Sequence, residues 1–187
     1  MKASEILMQE HRLIERVLDA LEIAAGHLER SHAVPPAFFL EAADFIAGYA
    51  DGCHHRKEED VLFGAMIESG VPSGAGVIDM FLDEHEQGRA LTRALRDAAR
   101  RLQAGDAPAR TQIVSSVRRY VALLRDHIMK EDEMLFPMAD ELLSPARHES
   151  VLAGFERVER EDTAAGAHEK FHALAEKLER EAGAFSD

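Results

Sequence analysis

The sequence predicts an all-α protein: an up-down-up-down four-helix bundle over residues 1–143, with an additional C-terminal helical segment over 144–187 packed on or beside it. Three observations carry this expectation. Ala, Leu, Glu and Arg dominate the composition, whereas aromatic residues make up 6% and Trp is absent, a balance that favours helix over strand. Apolar residues recur at three- and four-residue spacing through four long stretches. Clusters of Pro and Gly are few and fall between those stretches.

Helix one is expected from Ala3 or Ser4 to about Arg30, with Leu7, Ile14, Leu18 and Leu21 on one face. Val34-Pro35-Pro36 stops it and opens helix two, because proline suits a first helical turn, where its missing N–H is no loss. Helix two carries Phe38, Phe39, Ala42, Phe45, Ile46, Ala47, Tyr49, Val61, Leu62 and Met66 and ends before Gly70-Val71-Pro72-Ser73-Gly74. Helix three runs from about Gly76 to Gln103 on Ile78, Phe81, Leu82, Leu91 and Leu95. A turn at Gly105-Asp106-Ala107-Pro108 follows, with Asp106 the expected N-cap of helix four. Helix four carries Ile113, Val117, Tyr120, Leu124, Ile128 and Leu135 to about Leu142. Ser144-Pro145 opens a fifth segment, expected to break near 163–166 and resume through Leu178.

Acidic residues number 35 against 22 basic, a formal net charge of −13. A field of that sign repels phosphate backbones and anionic head groups, so neither nucleic acid nor membrane is an expected partner. The single cysteine, Cys53, excludes an internal disulfide and fits a reducing compartment. The opening stretch has no continuous apolar run or small-residue cleavage site, so no signal peptide is read, and the expected location is cytoplasmic. Ten histidines beside one cysteine are the unusual feature.

The histidines sit in an internal echo. Glu10-His11 on helix one matches Glu84-His85 on helix three, and HHRKEEDVLF at 54–63 matches HIMKEDEMLF at 127–136. The steps from first to second His agree to one residue, 43 and 42. His54 and Glu58 are four apart on helix two, as are His127 and Glu131 on helix four, so each pair stacks on one helix face. His11 lies between Leu7 and Ile14 on an apolar stripe, and His85 follows Phe81 at the matching offset. Counted from the helix ends at ~1.5 Å per residue, all six side chains converge on one level of the bundle. Four helices then each deliver an imidazole to one place, beside two carboxylates, which is a metal-binding pattern.

This order, His, His-x-x-x-Glu, His, His-x-x-x-Glu, resembles that of the hemerythrin-like (HHE cation-binding) family. EEDVLF at 58–63 and EDEMLFPM at 131–138 are similar to the sequence that family carries around its second and fourth helices. The resemblance covers about residues 1–142. It implies two non-haem iron ions, oxo- or hydroxo-bridged, with His11, His54, His85 and His127 as terminal ligands and Glu58 and Glu131 as bridges. Two positions depart from the family pattern. Arg89 stands where hemerythrins have a second third-helix His. At the last ligand, Glu131 lies four residues after the fourth-helix His and Asp132 five, and Glu131 is preferred because Glu58 holds the equivalent place in the echo. Loss of one imidazole argues against reversible oxygen carriage and leaves an open coordination position.

Other residues read less sharply. His55 and Glu59, one step round helix two, are expected at solvent or in supporting hydrogen bonds. His168 and His172 are expected at a surface or capping position, and Cys53 as a packed thiol. Tyr120 falls on the stripe of His127, where it either packs or hydrogen-bonds a bound oxygen species. Arg89 is expected on the cluster face, where it pairs with Glu58 or Glu131 or meets a bound anion, the alternative being a plain ion pair with Glu86. Ferritin-like chemistry would need two Glu-x-x-His motifs on core helices, and the pair Glu169 and His172 falls in the C-terminal segment instead. The functional expectation is a di-iron protein that binds and reduces or disproportionates small oxidants, namely peroxide, O2 and NO, in a catalase- or peroxidase-like reaction. The alternative is a sensing or binding module for iron, oxygen or NO without turnover.

Overall fold

The computed structural model describes residues 2–74, 76–162 and 167–185, and all its regular structure there is helical. The described residues form six helices: α1 (Ala3–Glu29), α2 (36–68), α3 (Val77–Gln103), α4 (109–142), α5 (Pro145–Asp162) and α6 (Ala167–Ala184). The break expected near 163–166 lies outside the described residues. The helix starts follow local chemistry. Glu5 accepts the Lys2 backbone N–H at 2.8 Å, and Asp79 accepts those of Gly74 and Gly76, both at 3.0 Å. Asp106 does not cap α4. Pro108 precedes the first turn, and the Asp106 carboxylate instead accepts from Arg101 Nε at 2.8 Å.

Two helices are not uniformly α. In α2 the i→i+5 pattern replaces i→i+4 over Ile46–His55 and Glu58–Leu62, and in α4 it does so over Glu131–Leu135. The wider turn advances fewer degrees per residue, so faces drift away from those an α period predicts. Ala47, expected inside, is exposed on this widened stretch; Leu82, also expected inside, is exposed on the regular α3.

Two apolar cores result, one on each side of a polar layer. One gathers the later part of α1 (Leu18, Leu21), the early part of α2 (Phe39, Phe45), Leu95 of α3 and Val117 of α4. The other gathers Leu7, Leu62, Phe81 and Leu135, from the start of α1, the end of α2, the start of α3 and the end of α4. Successive helices among the first four therefore alternate in direction. α3 packs on α4 and α2, and α4 packs on α1.

The C-terminal helices belong to these cores. α6 lies against α1 and α2 and adds Ala175, Leu178 and Ala182 to the first, while α5 lies against α1 and α2 and adds Val151 and Phe155 to the second. Burial of a side chain such as Phe155 contributes about 1.5–3 kcal/mol. Two glycines permit the approach. A Cβ on Gly48 would stand 2.2 Å from the Phe171 ring, and one on Gly154 would stand 2.5 Å from a Val61 methyl.

Candidate metal centre

The polar layer between the cores is a cluster of imidazoles and carboxylates. His11, His54, Glu58, His85, His127 and Glu131 are all buried at 2% exposure or less and come from four helices. His11 Nε2 lies 3.1 Å from Glu131 Oε2, and His127 Nε2 lies 3.2 Å from Glu131 Oε1. His85 Nε2 is 3.4 Å from Glu58 Oε2, and His54 Nε2 is 3.6 Å from Glu58 Oε1. The two carboxylates thus each face imidazoles from two helices.

His55, expected at solvent or in a supporting role, is buried in the same layer, its ring stacked on His85 with centroids 3.9 Å apart. Five imidazoles therefore share the layer, and each turns Nδ1 outward to its own carboxylate. His11 pairs with Asp132 at 2.7 Å, His54 with Glu10 at 3.0 Å, His55 with Asp51 at 2.9 Å, His85 with Glu59 at 2.7 Å and His127 with Glu84 at 2.9 Å. A carboxylate on Nδ1 fixes ring orientation and leaves Nε2 as the free donor, the arrangement metal-ligating histidines use. Asp132 thus supports His11 from outside, while Glu131 turns inward. Glu59 takes the supporting role expected for it.

Several of the inward atoms lack a hydrogen bond, whereas His85 Nε2 and His127 Nε2 meet each other at 3.1 Å. His11 Nε2, His54 Nε2 and all four carboxylate oxygens of Glu58 and Glu131 are buried without a hydrogen bond among the described residues. Such groups cost roughly 1–3 kcal/mol each when left unpaired, more when charged. Electrostatics agree. Burial and the facing Glu131 push the Glu58 carboxyl well above its ordinary range. Burial works the same way on Glu131, yet the His127 and His11 imidazoles hold it below that range. Burial opposes charge on His127, but Glu131 and Glu84 push it up to about 9. Burial and the neighbouring His11 push His54 down to about 4. The donors fall into two sets, His11, His54, Glu58, Glu131 and His55, Glu58, His85, His127, each with ligand atoms within 4.8 Å of one another. Both could hold a metal cation.

The chain matches the profile of the Hemerythrin HHE cation binding domain over residues 2–139. It belongs to that family. Similar curated proteins include the uncharacterized proteins Rv1995 of Mycobacterium tuberculosis and Mb2018 of Mycobacterium bovis, each 25% identical over 154 residues. The match covers 82% of this chain and 60% of theirs, so the chain spans about three-fifths of the length of those relatives.

The remaining HHE-domain residues singled out by sequence are placed as follows. The Arg89 guanidinium meets Glu59, the supporter of His85, and lies 3.6 Å from Glu86; neither Glu58 nor Glu131 is among its ion-pair partners. Tyr120 is buried against α3, where a Cβ on Gly88 would stand 3.6 Å from its ring. The Tyr120 hydroxyl has no hydrogen-bond partner among the described residues, and burial together with the Asp51 carboxylate pushes it well above its ordinary range. His168 stands 3.8 Å from Cys53 Sγ, not in the five-imidazole layer. His172 is exposed. Sequence reasoning missed His55 because it turned that residue ~100° from His54 on an α period, whereas both lie in an i→i+5 stretch. Asp51 four residues earlier was the available signal.

Proposed function

We propose that the centre holds two non-haem iron ions and that the filled site reduces or disproportionates small oxidants, peroxide above all. One observation carries the count of two: the two donor sets share Glu58, so a single carboxylate faces both. On this reading His11 and His54 would hold one ion and His55, His85 and His127 the other, with Glu58 and Glu131 supplying carboxylates. Imidazole with carboxylate suits iron, as it also suits manganese or zinc. When bound, an iron pair supplies the electrons that reduce O2, NO or peroxide at an open position.

The chain's own residues supply the rest. Glu10, Asp51, Glu59, Glu84 and Asp132 hold the five rings in orientation through Nδ1. The two apolar cores exclude bulk water from the layer. Tyr120 offers an unpartnered hydroxyl that can donate to a bound oxidant. Arg89 acts through Glu59 on His85 and adds positive charge at the edge of the site. The first four helices serve as the up-down-up-down metal-binding unit, over 1–143, and the C-terminal pair over 144–187 covers it.

A second reading, an iron, oxygen or NO sensor without turnover, is favoured by one contact. Lys57 joins Glu10, which holds His54, to Glu159 on α5 at 2.7 Å, so the state of the site reaches a C-terminal helix. No described helix is long and apolar enough to cross a membrane. Metal analysis with an optical spectrum, followed by steady-state oxygen evolution from peroxide, tests the proposal. Two irons per chain and sustained turnover are expected. A metal-free protein sinks the di-iron reading, and two irons without turnover favours the sensor.

A further inference from the structure

A second group of ligand-type side chains lies outside the five-imidazole layer. Cys53 Sγ, buried on α2, stands 3.8 Å from His168 Nε2 at the start of α6. With one carboxylate oxygen of Glu10 on α1, these atoms all fall within 4.8 Å of one another. Three helices therefore bring sulfur, nitrogen and oxygen donors to one point. A tetrahedral ion with bonds of about 2.3 Å to sulfur and about 2.0 Å to nitrogen sets those two donors roughly 3.6 Å apart, close to the spacing found.

The surroundings suit a cation. A cavity of about 360 Å³ is lined by two of the three, Glu10 and His168, together with Tyr49, Glu159 and His172, and Cys53 stands behind His168. Glu159 Oε1 lies 3.8 Å from His168 Nε2 and offers a fourth donor from α5. The buried Lys57 ammonium touches both Glu10 and Glu159, leaving one net negative charge for the two carboxylates. Glu10 also accepts from His54, yet each of its oxygens keeps a second lone pair. The thiol, rather than the carboxylates, decides selectivity, since sulfur with imidazole prefers a borderline-soft ion over calcium or magnesium.

We propose that Cys53, His168 and Glu10 form a second, mononuclear site for a zinc-type divalent cation, distinct from the five-imidazole centre, that clamps α6 onto α1 and α2. Glu10 is shared between the two sites, so filling one bears on the orientation of His54 in the other.

The test uses the iron-loaded, full-length chain titrated with Co²⁺ as the probe. Because Cys53 is the sole cysteine, a thiolate-to-cobalt charge-transfer band in the difference spectrum reports this site and no other. One equivalent of band-forming Co²⁺ is expected, abolished in Cys53→Ser and weakened at least tenfold in affinity in His168→Ala. Glu58→Ala, which strips the iron centre, should keep the band, so failure of the di-iron reading and failure of this one are separable. No thiolate band at saturating Co²⁺, a band that survives Cys53→Ser, or full affinity in His168→Ala would overturn the three-helix site.

Discussion

The two halves of the polar layer are built from the same parts and differ at two places. In each, a Glu-His pair opens the first helix and a His-x-x-Lys-Glu run closes the second: Glu10, His11, His54, Lys57 and Glu58 against Glu84, His85, His127, Lys130 and Glu131. The contacts repeat as well. Glu10 holds His54 and Lys57 as Glu84 holds His127 and Lys130, and Glu59 reaches across to His85 as Asp132 reaches to His11. The first difference is His55, whose counterpart is the buried Ile128. The second is cover: α5 and α6 lie on α1 and α2, so Lys57 is fully buried while the Lys130 side chain is 22% exposed. Similar sequence thus leaves the sealed half with two imidazoles in its donor set, His11 and His54, while His55 crosses to join His85 and His127 of the more solvated half as a third. On the di-iron proposal, the open coordination position would belong with the poorer set, His11 and His54.

Breaking what the halves share should have the largest effect. Glu58→Ala or Glu131→Ala is expected to cut bound iron to below about a tenth, since each carboxylate faces imidazoles of two helices. Glu59→Ala, which frees the His85 ring and Arg89 but removes no inward donor, should cost about 10–100-fold in affinity and refill at excess iron. Equal stoichiometry in all three under excess iron would mean the inward carboxylates are misassigned.

Removing the asymmetry itself comes next. His55→Ile gives the first half the residue of the second and should reduce tight binding from two irons toward one. Retention of two tightly bound irons, by metal analysis after dialysis, would place His55 in a packing role.

A smaller effect is expected from the two lysines. Lys57→Met leaves buried Glu10 facing Glu159 without a cation and should cost on the order of 3 kcal/mol. Lys130→Met acts at a half-solvated pair and should cost under ~1 kcal/mol. Urea denaturation of the metal-free chain measures both, and similar losses would remove cover by α5 as the reason for the difference.

The smallest effect is a pH response of opposite sign in the two halves of the metal-free chain. His54 stays neutral in the fold down to about 4, whereas the unfolded chain takes up that proton near the ordinary value of 6.5. This half therefore loses stability as pH falls from 6.5 toward 4. His127 keeps its proton up to about 9, so its contribution is complete below 6.5 and fades as pH rises through 9. Denaturation midpoints across this range should peak between, with the alkaline limb flattened in His127→Gln. An unchanged alkaline limb in that variant would rule out His127 as its source.

The sequence by itself determined the helical class, the first four helices and the six residues at 11, 54, 58, 85, 127 and 131 that share one layer, because helix periodicity and the 43- and 42-residue steps are local counts along the chain. It also carried the family, through the same motifs. Only the tertiary structure decided the rest. His55 turns inward because α2 widens to i→i+5 bonding, a departure that packing imposes and no residue period announces. Asp106 yields the N-cap because Arg101, five residues earlier, takes its carboxylate. The C-terminal helices become part of both cores because Gly48 and Gly154 leave room for Phe171 and Val61, a fit between residues more than ninety positions apart. That same long-range closure brings His168 to Cys53 and buries Lys57. Contacts of this kind depend on which surfaces meet, and a one-dimensional pattern does not contain that information.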